Sequence, residues 1–226
     1  MDIHYYQYKK INKYFYAFLD SYQLYLRKPT NFNDTFECKF SSITVSHKHL
    51  KGFIKKTGAE HLSNINSQDC RTQILELFWK SSNNLGISCF TKSCDNILMW
   101  SHYADQNRGI CLQFEFDNDM AQHLYPVKYV SKRPAYNFIK DPLKVFTFYA
   151  TKYRIWQYEN EHRLIIPNKR MIALKKHYLK SIIFGSAVSA YHKRKIKKLI
   201  SSTNPEVIFF QAKEDADNYK FIIEKL

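Results

Sequence analysis

Two carboxylates and a guanidinium stand at alternate positions late in the chain, in the run Trp-Gln-Tyr-Glu-Asn-Glu-His-Arg. If residues 159–166 form a strand, Glu159, Glu161 and Arg163 point to one face, about 6.5–7 Å apart. One carboxylate there could hold ribose hydroxyls and stabilise an oxocarbenium ion, and the other could deprotonate an acceptor. Arg163 could bind a phosphate bidentately. The alternative is an ordinary salt-bridged strand surface, which the pattern alone favours.

A short aromatic helix is predicted at residues 96–104. Trp100 and Tyr103 are neighbours at i,i+3, and we expect them in the core. His102 lies on a different face from Trp100 and is a base, a ligand-binding group or a satisfied interior imidazole. Arg108 lies in the polar turn that follows, between a helix and a strand, where substrate contacts are common.

An early loop, Phe-Asn-Asp-Thr-Phe-Glu at residues 32–37, has two interpretations. Asn33 and Asp34 favour an Asx-turn, and the spacing of Asp34 and Glu37 is similar to a capping box. We expect Phe32 and Phe36 to pin this loop to the core. It is either a ligand loop or a helix start with two hydrophobic anchors.

The cysteines indicate neither a disulfide framework nor a metal site. There are five of them, an odd number without framework spacing, so we expect free thiols in a reducing cytosol. Cys89, Cys94, His102 and Cys111 contain only one close ligand pair, whereas structural zinc sites usually contain two. We therefore expect no metal.

The chain is strongly basic, with 35 Lys and Arg against 20 Asp and Glu and a net charge of +15. Such a charge favours anionic partners, although an AT-rich genome would also produce it. Residues 190–201 predict an amphipathic helix whose basic side could follow phosphates or simply face solvent. The nucleic-acid-binding candidates are Lys193, Arg194, Lys197 and Lys198.

The elements that must position these residues predict a single α+β domain over residues 1–226. Residues 5–9 and 23–26 are predicted strands around a turn, and residues 86–90, 108–116, 125–130, 159–166, 181–184, 207–212 and 221–224 are further strands. Helices are predicted at residues 46–56, 69–82, 96–104 (capped by Ser93 or Asp95), from Asp141 to about residue 156, and at 190–201. Without steady βαβ units, we expect a central mixed or mostly antiparallel sheet, with a split sheet as an alternative, and flanking helices.

Neither a GxGxxG nor a Walker-type loop occurs in the sequence. The first fifteen residues have no apolar core typical of a signal peptide, and no apolar run approaches the roughly 18 residues of a spanning helix. We expect a cytoplasmic protein without membrane contact. The sequence does not indicate an oligomeric state.

Four segments together resemble a widespread bacterial domain family of unknown function. They are Phe-Asn-Asp-Thr-Phe-Glu at 32–37, Met-Trp-Ser-His-Tyr-Ala at 99–104, Gly-Ile-Cys-Leu-Gln-Phe at 109–114, and Trp-x-Tyr-Glu-x-Glu-x-Arg at 156–163. The pair Tyr8-Lys9 also fits. Thr35 replaces a usual proline, and His162 stands where tryptophan is common.

The Glu-x-Glu strand of that family is similar to the terminal motif of ADP-ribosyltransferases. This likeness implies NAD as the cofactor, Glu161 as the ribose-binding catalytic carboxylate and Glu159 as the group that assists the acceptor. It also implies that Tyr103 or Trp100 stacks on nicotinamide, while Asn33, Asp34 and Arg108 line the nucleotide cleft.

Three functions are therefore expected to compete. The first is a nucleotide-using transferase, NAD-dependent, that acts as a toxin or phage-defence effector on a nucleotide or other anionic substrate. The second is a basic nucleic-acid-binding module without catalysis. The third is a protein-interaction domain that uses exposed tyrosine and phenylalanine.

Overall fold

A large mixed sheet organises the protein, as a computed structural model shows for residues 4–38, 76, 83–134 and 144–226. Its eight strands are β1 His4–Lys9, β3 Leu85–Thr91, β4 Ile110–Glu115, β5 Leu124–Pro126, β8 Glu161–Pro167, β10 Leu179–Phe184, β11 Ile208–Glu214 and β12 Phe221–Lys225. They lie in the order β12-β11-β10-β4-β1-β3-β8-β5, and of the neighbouring pairs in this sheet only β10 and β11 run parallel. The α+β prediction is thus confirmed.

Two small sheets and five helices surround the large sheet in the part of the chain that the structure describes. The small sheets pair β2 (Gln23–Tyr25) with β9 (Met171–Ala173) and β6 (Lys128–Val130) with β7 (Thr151–Tyr153). The helices are α1 Lys13–Ser21, α2 Ile97–Tyr103, α3 Asn118–Ala121, α4 Lys144–Tyr149 and α5 Ala190–Thr203. No helix among the described residues is long and apolar enough to cross a membrane.

Strand alternation in β4 fixes the two faces of the sheet. Ile110, Leu112 and Phe114 are fully buried on one face, where they join the main core with α1 and α5. Cys111 points to the opposite face and packs in the cluster around Trp100. The strand predicted at residues 108–116 is confirmed over Ile110–Glu115.

The first helix was not predicted from the sequence, which indicated only a turn between β1 and β2. Asn12 begins α1 by accepting hydrogen bonds from the backbone of Tyr14 and Phe15, both at 3.0 Å. Tyr22 ends it in the left-handed region, at φ 54°. The aromatic residues of this segment suit a strand as well as a helix, so composition alone does not decide between them.

The sheet divides between β1 and β3. These strands share one register pair, Tyr6 with Thr91, and then separate. The backbone of Arg27 takes the place beside β3, exchanging two 2.8 Å hydrogen bonds with Ile87. This split, here called the fork, leaves a hollow that residues of both strands line.

Some predicted boundaries are wrong. The strand at 125–130 is interrupted, because Val127 donates its backbone N–H to Glu161 while β6 turns away to pair with β7. The helix expected to reach residue 156 ends at Tyr149, and α2 is capped by Asn96 instead of Ser93 or Asp95. The helix prediction at 46–56 and the Asp141 start lie outside the described residues, as does 69–82 except for Glu76.

Candidate functional site

A buried guanidinium lies at the centre of the candidate site. Arg163 of β8 donates to both oxygens of Glu161, at 2.9 and 3.0 Å, and to the carbonyl of Tyr149 at 2.5 Å. It also pairs with Glu37 from the early loop. Arg163 and Glu37 have no exposed side-chain surface, so this pair ties the loop to the sheet from the interior.

Lys152 of β7 joins the acids of this site. Its Nζ lies 2.5 Å from Glu159, 3.3 Å from Glu161 and 3.9 Å from Glu37. Sequence reasoning missed Lys152, because it placed the residue in a helix. The sequence offers only an indirect signal for this residue. Buried carboxylates need a cation nearby, but the sequence does not show which lysine provides it.

Glu159 is not on a strand, which corrects the prediction that it shares a strand face with Glu161. Residues Arg154–Glu159 form a 3-10 helix, and Asn160 follows in the left-handed region at φ 42°. This turn brings Glu159 back toward β7. The two acids nevertheless meet, because Lys152 contacts both.

The cluster of Glu37, Lys152, Glu159, Glu161 and Arg163 contains three acids and two cations. Burial raises the pKa of Glu161, although Lys152 acts against this shift. Burial opposes the charged form of Lys152, but the carboxylates outweigh it and raise the pKa of Lys152. Burial lowers the pKa of Arg163 to about 9, so the guanidinium stays charged at neutral pH.

An aromatic hydroxyl completes the cluster. Tyr103 of α2 donates to Glu159 at 2.6 Å. Burial and this carboxylate raise the pKa of Tyr103, so its hydroxyl keeps its proton. Tyr129 accepts the backbone N–H of Glu161 at 2.8 Å. The acids are thereby held in place before any ligand arrives.

Two hollows flank the cluster, and Asn33 and Lys152 line both. The larger, here called the fork hollow, has about 870 Å³ and follows the split between β1 and β3. The smaller has about 770 Å³ and includes Asp34, Glu37 and Trp156 in its wall. Volumes of this size suit small-molecule ligands.

Five of the predicted site residues meet at the fork hollow. They are Asn33, His102, Tyr103, Glu159 and Glu161. His102 is exposed on α2, where one ring nitrogen lies 3.2 Å from the hydroxyl of Tyr158.

Other predicted site residues lie elsewhere. Arg163 is fully buried, and its guanidinium already donates to Glu37, Glu161 and the carbonyl of Tyr149. It is therefore unable to bind a phosphate, which corrects the prediction. Trp100 is fully buried against Tyr8 and Phe221, so it is unable to stack on a nicotinamide. Arg108 is exposed and pairs with Asp105 at 3.2 Å.

The early loop forms the Asx-turn that its sequence predicts. Asp34 accepts the backbone N–H of Phe36 at 2.8 Å. Phe32 packs against the core, and the Cζ atom of Arg163 lies over its ring, 5.1 Å from the ring centroid. Phe36 is 66% exposed and contacts Arg133, so its predicted role as a hydrophobic anchor is wrong.

The basic residues of α5 form a separate surface. Ile196 and Ile200 are buried, as the amphipathic pattern predicts. The cations on the other side are half-buried or exposed, and none lines either hollow. They are Lys193, Arg194, Lys197 and Lys198.

The described cysteines have free thiols, and no cluster of metal-binding side chains occurs among the described residues. Three of the four segments behind the family resemblance contribute to the ion-pair cluster, through Glu37, Tyr103 and the run from Glu159 to Arg163. The resemblance itself stays a prediction. Comparisons with protein-family models, curated proteins and solved structures find no match for this chain.

Proposed function

We propose that the chain is a nucleotide-using transferase that binds NAD in the fork hollow and transfers its ADP-ribosyl group, as a toxin or phage-defence effector would. One observation carries this proposal. Acids from the β8 region, Tyr103 and His102 of α2, and Asn33 of the early loop all line the same hollow. These three elements are far apart in sequence, and a ligand in the hollow would contact all of them.

In this proposal Glu161 acts on the ribose. Lys152 and Arg163 donate to its oxygens and favour the carboxylate against the effect of burial. A carboxylate beside the ribose would accept a hydroxyl hydrogen bond and stabilise positive charge at C1′. The C1′–N bond would break, and nicotinamide would leave with the bonding electron pair.

A second group would take the proton of the acceptor as its nucleophile bonds to C1′. Glu159 is the first candidate, but Lys152 and Tyr103 already bind its oxygens. His102 is exposed at the hollow and is the second candidate for this proton transfer. Loss of turnover in His102→Ala, with Glu159→Gln still active, would assign the base to His102.

Release of nicotinamide from NAD tests the proposal. The protein is incubated with NAD and a mixture of protein and nucleic-acid acceptors, and free nicotinamide is measured by chromatography. We expect turnover by the wild type and a loss of about 100-fold or more in Glu161→Gln. Glu206→Gln, at an exposed position outside both hollows, is the matched control.

Folding of each variant is checked by thermal unfolding, because Glu161 is buried. Nicotinamide release that is absent in the wild type, or unchanged in a folded Glu161→Gln protein, would contradict the proposal. Loss of growth inhibition on expression of Glu161→Gln is the cellular counterpart.

A second candidate function, nucleic-acid binding without catalysis, is favoured by the charge of α5. Among the residues the structure describes, no carboxylate lies within ion-pair distance of the four α5 cations named above. If all four contact phosphates, log K should fall with log salt at a slope of roughly −3.6. Reversing the four charges should abolish binding, and binding that ignores salt would exclude this function.

A further inference from the structure

Two cations line the fork hollow where β1 ends and Arg27 pairs with β3, a part here called its cationic end. Lys9, the last residue of β1, and Arg27, beside β3, both line it. Lys9 is half-buried, and Arg27 is exposed. The two 2.8 Å backbone bonds of Arg27 to Ile87 hold its backbone at the fork.

These two cations have no acidic partner. Within the described ranges, no carboxylate lies within ion-pair distance of Lys9 or Arg27. The acids of the hollow are different, because Glu159 and Glu161 both contact Lys152.

The placement of Lys9 opposes folding. Burial and the charge of Arg27 lower the pKa of Lys9 to about 8, which means that the charged lysine is less stable here than in water. Unfavourable charges of this kind concentrate at functional sites, where a ligand supplies the missing partner.

A polar atom in the lining of the hollow also lacks a partner. Gln7 is 8% exposed, and its Nε2 donates to Ser88 Oγ at 2.9 Å and to the carbonyl of Cys89 at 3.0 Å. Its Oε1 is buried without a hydrogen bond, although Gln7 lines the hollow. A buried amide oxygen of this kind suits a hydroxyl or N–H donor on a ligand.

We propose that Lys9 and Arg27 form a phosphate-binding subsite, and that the ligand carries a hydroxyl or N–H group that donates to Gln7 Oε1. A nucleotide has both groups, and its ribose would extend toward Glu161. The identification of the ligand as a nucleotide rests on the function proposed above, whereas the phosphate subsite rests on the cationic end of the hollow.

Calorimetric titration of the full chain with inorganic pyrophosphate tests the subsite, because this probe requires neither NAD nor catalysis. We expect binding by the wild type and a loss of at least about ten-fold in Lys9→Met and in Arg27→Met, the effect of removing one charge-assisted contact. Lys28→Met is the matched control, since Lys28 is the exposed neighbour of Arg27 and does not line the hollow.

Thermal unfolding distinguishes this subsite from a structural role. Lys9→Met should unfold at an equal or higher temperature than the wild type, because it removes an opposed charge. Pyrophosphate binding that is absent, or equally strong in Lys9→Met and Arg27→Met, would overturn the subsite, as would clear destabilisation by Lys9→Met. Pyrophosphate binding without nicotinamide release would remove the transferase proposal and leave the phosphate subsite. Conversely, NAD turnover that neither Lys9→Met nor Arg27→Met changes would remove the subsite and leave the transferase proposal.

Discussion

Replacing Lys152 with methionine tests the ion-pair cluster most severely. Lys152 contacts Glu159 at 2.5 Å and Glu161 at 3.3 Å, and its side chain is only 7% exposed. The variant would leave three buried carboxylates, those of Glu37, Glu159 and Glu161, with Arg163 as their remaining cation. Removing one partner of a buried pair costs about 3–5 kcal/mol. For a chain of this size that corresponds to a fall in Tm of roughly 6–20 °C.

The loss in Lys152→Met should depend on pH. Burial already raises the pKa of Glu161, and removal of the nearby cation would raise it further. A carboxyl group whose pKa is raised by folding takes up protons on folding, so stability falls as pH rises through that range. We therefore expect a larger loss at neutral pH than near pH 5, measured by urea unfolding at both values.

An exposed pair provides the control. Lys213 lies at the same 2.5 Å from Glu224, but these side chains are 57% and 46% exposed. Lys213→Met should cost less than about 1 kcal/mol. Adding Glu159→Gln to Lys152→Met should restore part of the loss, because it removes one uncompensated charge. Equal losses in the two lysine variants, or a loss independent of pH, would refute the reasoning.

Three further predictions concern the framework of the site. Gly109→Ala should destabilise the fold by more than about 2 kcal/mol in urea unfolding, because a Cβ there would lie 2.3 Å from the carbonyl oxygen of Lys9; a neutral result would contradict the geometry. Asn96→Ala should cost about 1 kcal/mol, since Asn96 caps α2; an unchanged unfolding midpoint would count against that cap. Cys111 should resist thiol reagents until the protein unfolds, because it is fully buried and burial raises the pKa of its thiol; rapid labelling detected by mass spectrometry would oppose this.

The fold class and several elements could be predicted from the sequence because their signals are local. The alternation of Ile110, Leu112 and Phe114 places β4 in the core, and the seam of Ile196 and Ile200 defines the buried side of α5. The helix α1 could not be predicted in this way. Its aromatic residues fit both a strand and a helix, and the cap at Asn12 is the feature that distinguishes them.

The sequence predicted several residues of the site correctly, but it did not predict the ion pairs between them. Glu159 and Glu161 lie close together, as the sequence suggested. Their proximity depends on the left-handed conformation of Asn160 and on Lys152, which contacts both acids, and an alternating strand pattern shows neither feature. Arg163 was expected to face a ligand and is instead enclosed with Glu37. This contact joins residues 126 positions apart in the chain, a separation over which no local sequence signal reports.

We propose that one ligand extends through the fork hollow from Lys9 and Arg27 to Glu161. Calorimetric titration of NAD into the wild type, Lys9→Met and Glu161→Gln measures whether both groups contact the same molecule. We expect the wild type to bind NAD, and both variants, each of them folded, to bind it more weakly. If NAD does not bind, or binds all three proteins with the same affinity, no such ligand occupies the hollow.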